Sequence, residues 1–336
     1  MKYLCDTNIV YHKPNKEKLK KLTGEDRPNL IMAPISILEL LTTNLCGYKK
    51  FRHIKDSVIW ILNNNVHILP AWEKVMADRL CIGLNINDPW QETFQQLLSI
   101  YASSNSISQL RKKIISKIHI SICGIFEPLG LKEGDTRRLD YDSLIEWRRF
   151  LYDAYYQETQ RAINYTTQKI CGKAAYPTSR WQPDKRERSN ILNYLVSEDL
   201  FESMCIVNLY DVWHSIYVTK KYENAANINK NDCEIIYLKQ FAKNSMNSQC
   251  EYIKHNNLLR IYWTAYIHYL KEVTCLNFRL KNGNDMGDSD ILHYLDLIPN
   301  TRLVTAESSN KHGGKIGWGT RITSIPEISD FVIIYR

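Results

Sequence analysis

The sequence has nine cysteines but no CxxC pair and no Cys/His cluster at zinc spacing. Cys5, Cys46, Cys81, Cys123, Cys171, Cys205, Cys233, Cys250 and Cys275 are scattered singly and odd in number. That pattern excludes a disulfide framework and a zinc-finger module, and leaves reduced thiols that behave as small apolar side chains. A run of about 18 apolar residues is also missing, as is a basic N-terminal segment leading into an apolar stretch and a small-residue cleavage site. The expected location is therefore cytoplasmic, with no membrane partner. No P-loop, GxGxxG turn or GxSxG elbow occurs, which removes the common nucleotide-binding and serine-hydrolase signatures. There is no internal repeat and no low-complexity tract.

What is present is a chain of 336 residues, 44% apolar and 11% aromatic, enough to bury a core of ordinary size and long enough for two parts. The formal charge is +8 and the isoelectric point about 8.9. A basic balance of this kind favours acidic partners, nucleic acid first among them.

Short apolar runs bounded by turn residues or proline predict three strands before residue 85: Tyr3 to Cys5, Leu30 to Pro34 and Val66 to Pro70. Helical patterns fill the gaps. Ser36 is expected as an N-cap with Glu39 completing a capping box, and a second helix is expected from Lys50 to Leu62. From Asn85 to Cys275 apolar residues recur at three- and four-residue spacing, as in Leu144, Trp147, Leu151 and Tyr155, and again in Leu259, Tyr262, Tyr266 and Leu270. This middle is expected to be a bundle of several helices, broken by loops at Glu127 to Asp140 and Tyr176 to Ser189. Strand patterns return at Arg302 to Ala306 and Asp330 to Tyr335. The predicted fold class is α/β: a central parallel sheet of about five strands built from residues 1–84 and 276–336, with a large all-helical insertion over residues 85–275.

Acidic residues gather where such a sheet would converge. Asp6 follows the first strand directly, Glu39 lies on the first turns of the helix after the second, Asp285, Asp288 and Asp290 crowd the stretch NDMGDSDILHYL, and Glu307 follows the fourth strand. Open α/β sheets bind ligands at the carboxyl ends of their strands. Carboxylates that share one edge repel each other unless a cation neutralises them, and hard oxygen ligands select Mg²⁺ or Mn²⁺. The chemistry that uses such a site is phosphodiester hydrolysis. Asp285 is read as a solvated loop residue, and His293 as helix packing.

In CDTNIV at a first strand end, an apolar segment running into ISILELL, the paired acids before ILHYL, and LVTAE after the fourth strand, the chain resembles the PIN-domain nucleases. The resemblance covers residues 1–84 and 276–336. It implies a three-layer α/β/α PIN-like domain in which Asp6, Glu39, Asp288, Asp290 and Glu307 are metal-binding and catalytic acids, with Asn8 and Thr305 orienting the first and last of them. It also implies an endoribonuclease that uses Mg²⁺ or Mn²⁺, prefers RNA to DNA, and leaves 5′-phosphate and 3′-hydroxyl ends. Two departures are visible. Glu307 stands where the family usually has Asp, and the insertion exceeds what small members carry.

Two rival readings of the same residues arise. A phosphatase-like DxD strand end fails because position 8 is Asn, which removes the second acid. A non-catalytic PIN-like scaffold that binds nucleic acid or a protein is the reading from a different class. The insertion is expected to select substrate or to dock a protein regulator, and a toxin or defence effector is one role that needs such control. For the polymer itself, the segment SRWQPDKRER offers Arg180, Lys185, Arg186 and Arg188 around Trp181, cations for phosphates beside an aromatic that can stack a base. Lys311 and Lys315 follow Glu307 closely enough to approach a phosphate at the rim of the site.

Overall fold

A computed structural model of the chain describes residues 1–11, 16–42, 48–83, 89–117, 142, 144–146, 148–149, 153, 168–172, 184–223, 245–275, 290–306 and 318–335. Its centre is a five-stranded parallel sheet in the order β3-β2-β1-β4-β5, comprising β1 (Lys2–Cys5), β2 (Asn29–Met32), β3 (His67–Ile68), β4 (Thr301–Thr305) and β5 (Val332–Ile334). The fold is α/β, as the alternating pattern predicted.

The central strands are buried over consecutive residues. Tyr3, Leu4 and Cys5, then Leu30, Ile31 and Met32, then Leu303, Val304 and Thr305 all lie in the core. Continuous apolar runs of this kind belong to parallel strands covered on both faces. β2, β3 and β5 are shorter than the apolar runs that predicted them, β3 most of all, with only His67 and Ile68 in the ladder, while β1 is one residue longer and β4 is of the expected length.

Along the chain, α1 (Thr7–Tyr11) and α2 (Lys16–Thr23) lie between β1 and β2, and α3 (Pro34–Thr42) and α4 (Tyr48–Asn63) between β2 and β3. The expected N-cap at Ser36 is not formed. The helix begins two residues earlier, at Pro34, whose fixed φ and missing N–H suit a first helical position. Ser36 is therefore inside α3, fully buried, and its hydroxyl has no hydrogen-bond partner among the described residues.

After β3 come α5 (Trp72–Arg79), α6 (Pro89–Ala102), α7 (Ile107–Lys117), α8 (Lys185–Leu195), α9 (Glu198–Glu223) and α10 (Arg260–Cys275). The chain returns through α11 (His293–Leu297) to β4, and α12 (Trp318–Thr323) and α13 (Pro326–Ser329) lead to β5. Packing does not stop at residues 84 and 276. The Tyr101 hydroxyl of α6 donates to the carbonyl of Leu41 in α3 at 2.5 Å, and Gln91 donates to the carbonyl of Ile68 at 2.7 Å. The buried apolar side chains from Tyr3 to Val332 form one continuous cluster.

The order of the strands matters for the site. From β1 the chain steps to β2 and β3 on one side, and only much later places β4 on the other side of β1. The point where the order reverses lies between β1 and β4, and a crevice opens beyond their carboxyl ends at such a point.

Candidate active site at the carboxyl edge of the sheet

Asp6 is the first residue beyond β1, and its amide donates to the carbonyl of Val304 at 3.0 Å, extending the ladder by one rung. The residue is 2% exposed. Burial of a carboxylate is tolerated only with hydrogen-bond donors around it. Two are present on Oδ2: the Thr305 hydroxyl at 2.9 Å and the Asn8 amide at 3.2 Å. Thr305 closes β4 and is itself fully buried, so the pair straddles the reversal point of the sheet. Asn8 therefore orients Asp6, and so does Thr305, which the resemblance had assigned to the last acid instead. The structure assigns Thr305 to Asp6, while Glu307 lies outside the described residues.

Thr7 turns the other way. Its hydroxyl lies 2.7 Å from Oε2 of Glu39 and 3.1 Å from the carbonyl of Ser36, which binds α1 to α3. A hydroxyl has a single proton, and the shorter of the two contacts is to the carboxylate. On the opposite side, a guanidinium nitrogen of Arg148 lies 3.8 Å from Oε1 of Glu39, and another is 3.5 Å from the Thr42 hydroxyl, a residue 106 positions away in sequence. Glu39 is only partly exposed, and Arg148 supplies positive charge beside it.

Asp290 stands just before α11, the helix that feeds β4, so it is on the side of the sheet where the strands end. Its Oδ1 is 3.2 Å from Nδ1 of His293, and the side chain is 16% exposed. The Tyr294 hydroxyl donates to the carbonyl of Pro70 at 2.8 Å and holds α11 against the end of β3. His293 is a packing residue, as expected, with both nitrogens occupied.

The geometry thus ties Asp6 to Asn8 and Thr305, Glu39 to Thr7 and Arg148, and Asp290 to His293. Among the described residues no group of three or more His, Cys, Asp or Glu side chains stands close enough together to hold a metal ion. Asp285, Asp288, Glu307, Arg180, Trp181, Lys311 and Lys315 lie outside the described residues. The donor chemistry that is described is of one kind. Asp6 and Glu39 present hard oxygens held by hydroxyl and amide donors. The neighbouring Cys5 thiol is fully buried, and its pKa is pushed up to about 12 by that burial and by the charge of Asp6. It stays protonated, which removes it both as a soft metal ligand and as a nucleophile. An all-oxygen set fits Mg²⁺ or Mn²⁺.

Lys185, Arg186 and Arg188 were expected in a loop and are found in the first turn and a half of α8. Asp184 caps that helix through a reciprocal pair, accepting from the Glu187 amide at 2.8 Å while Glu187 Oε2 accepts from the Asp184 amide at 2.9 Å. The DKRE spacing carried this signal, since an acid three residues after a capping residue is a helix start. Three cations at a helix N-terminus oppose the helix dipole, so helix stability does not explain them.

Two partners of the acids were missed in the sequence. Thr7 lies between Asp6 and Asn8, but nothing local says that it faces α3. Arg148 reads as one of a basic pair, and only the folded chain brings it to Glu39.

No family model matches the chain, and no curated protein and no solved structure is similar to it at a significant level. Among the described residues no helix is long and apolar enough to cross a membrane.

Proposed function

We propose that the chain is a metal-dependent endoribonuclease of the PIN-domain type, with its catalytic acids at the carboxyl edge of the sheet. The observation that carries the reading is the placement of Asp6. A buried carboxylate at the strand-order reversal, gripped by Asn8 from its own strand end and by Thr305 from the neighbouring one, is held at a cost to stability that a ligand-binding role explains. Support also comes from CDTNIV beginning on the last residue of β1 and the LVT of LVTAE closing β4, adjacent parallel strands, in the order the resemblance implies.

Asp6 and Glu39 would hold Mg²⁺ or Mn²⁺, with Asp290, Asp288 and Glu307 completing the set. A divalent cation there supplies charge neutralisation on the scissile phosphate and lowers the pKa of an attacking water. The chain's own groups do the rest. Asn8 and Thr305 fix the Asp6 carboxylate so that it need not reorganise when charge develops, and Thr7 does the same for Glu39. Glu39 is more open than Asp6, so water reaches it, and it accepts the proton lost by the attacking water. The water oxygen bonds to phosphorus, the bond from phosphorus to the 3′-oxygen breaks, that oxygen takes a proton from solvent, and 5′-phosphate and 3′-hydroxyl ends result. Lys185, Arg186 and Arg188 hold the polymer at a distance from the cut.

The test is cleavage of end-labelled single-stranded RNA, structured RNA and single-stranded DNA by purified protein with Mg²⁺, Mn²⁺ or EDTA, alongside Asp6→Asn. Cutting that requires the cation and is lost in Asp6→Asn supports the reading. A second reading, a non-catalytic scaffold that binds RNA, is favoured by the lack of a three-acid group among the described residues. Retention of RNA without cutting, the same in wild type and Asp6→Asn, would establish it.

A further inference from the structure

We propose that the cleft between α10 and α12 binds a phosphate group, held by Arg321 from one wall and His268 from the other. The acids at the carboxyl edge of the sheet take no part in it.

One wall of the cleft is made by Ala265, His268 and Tyr269 of α10. The other comes from Trp318, Arg321 and Ile322 of α12, with Ser324 and Ile325 in the turn that follows. On each helix the three positions are three and four residues apart, so they share one face. Tyr269, Trp318, Ile322 and Ile325 are buried and build the floor. Arg321 and His268 are half-buried and Ser324 is exposed, which places the polar groups toward the mouth. The volume of the cleft is about 30 Å³. One water needs roughly 10–15 Å³, so the space of two waters is there for one tetrahedral anion to take.

The lining decides the sign of the ligand. None of the eight lining residues is acidic, and two of them can carry positive charge. A metal ion finds no carboxylate in the cleft, and a purely apolar ligand would strand a guanidinium against itself. An anion meets neither penalty. Arg321 is charged at every working pH, and its planar fork of five N–H donors, more than a single partner uses, matches two oxygens of one phosphate. The apolar floor lowers the local dielectric and strengthens that attraction. Ser324 fixes the turn where the arginine leaves its helix, because its hydroxyl and its amide both donate to the Arg321 carbonyl, at 2.6 and 3.1 Å. With His268 on the facing wall, donors reach the ligand from two sides. A tetrahedral ion with acceptor oxygens in several directions serves both, whereas a planar carboxylate presents its two oxygens along one edge. Inorganic phosphate and a nucleoside 5′-monophosphate share this group.

The experiment is calorimetric titration of the full-length protein at fixed ionic strength with inorganic phosphate, adenosine 5′-monophosphate, adenosine and acetate. It is run on wild type, Arg321→Gln, His268→Gln and Lys185→Gln, with the thermal midpoint of each as a check on folding. The expected result is one phosphate per chain, bound about tenfold or more weakly in Arg321→Gln and severalfold more weakly in His268→Gln. Lys185→Gln, which removes an exposed cation of α8, should bind as wild type does. Tighter binding of the monophosphate than of inorganic phosphate assigns the site to a nucleotide, and equal binding assigns it to the free ion. Either supports the proposal. It is overturned if phosphate gives no saturable binding, if acetate or adenosine binds as tightly, or if Lys185→Gln weakens binding as much as Arg321→Gln, which would mark general attraction to a basic protein. Affinity unchanged in a folded Arg321→Gln also overturns it. Should that variant not fold, unchanged affinity in His268→Gln does so instead.

Discussion

Replacing Thr305 with Val removes one hydroxyl from a fully buried position and leaves the side-chain shape almost unchanged. The lost group donates to Oδ2 of Asp6 at 2.9 Å, and the Asn8 amide also contacts that oxygen, at 3.2 Å. Hydrogen bonds to charged groups contribute about 1.5–3 kcal/mol, and a buried acceptor deprived of its donor loses that in full. The extra methyl returns part of it, on the order of 0.8 kcal/mol. The net destabilisation should be about 1–2 kcal/mol, read as a lower urea midpoint at unchanged m. A double-mutant cycle isolates the contact. In an Asp6→Ala background Thr305→Val should be neutral or stabilising, because the hydroxyl has lost its acceptor, so the coupling should exceed about 1 kcal/mol. Additivity to within about 0.5 kcal/mol would refute the claim that Thr305 supports the Asp6 carboxylate.

Asp296 makes stability depend on pH in an unusual direction. Burial raises its pKa to about 7 against the opposing pull of two backbone amides and Arg260. The folded chain then keeps a proton that the unfolded chain loses near pH 4, so the contribution is full below pH 4 and is lost as pH rises to about 7. Asp296→Asn, which still accepts from the two amides, should be the more stable protein at pH 7.5 by on the order of a few kcal/mol and should lose its advantage near pH 4. Urea unfolding at the two pH values checks this, and an equal difference at both would refute it. Cys5 and Cys205 are buried, with their thiols pushed up to about 12 mainly by that burial. Neither should react with iodoacetamide at pH 8 in the native state, while the exposed Cys81 should. Peptide mapping by mass spectrometry before and after urea reads the outcome.

The strands were legible because each is a short apolar run closed by a turn residue or proline, and that is a local property of the chain. The same holds for Asp6, whose place at the end of such a run put it at the sheet edge before any packing was considered. The start of α3 was misread since Ser36 and Glu39 match a capping box as well as they match a helix interior, and the proline two residues earlier took the first helical position. The cations of α8 were placed in a loop because Pro183 masked the Asp184 and Glu187 pair that starts the helix.

What the sequence alone determined is therefore the alternation of strands and helices, the sheet's parallel character, and the position of Asp6 just beyond the first strand, all of which follow from periodicity over a few residues. Only the tertiary structure decided which donors serve which acids: Thr305 for Asp6, and Thr7 and Arg148 for Glu39. A hydrogen bond depends on distances of about 3 Å and on direction. Residues 85, 106 or 299 positions apart acquire those only when the whole chain has packed.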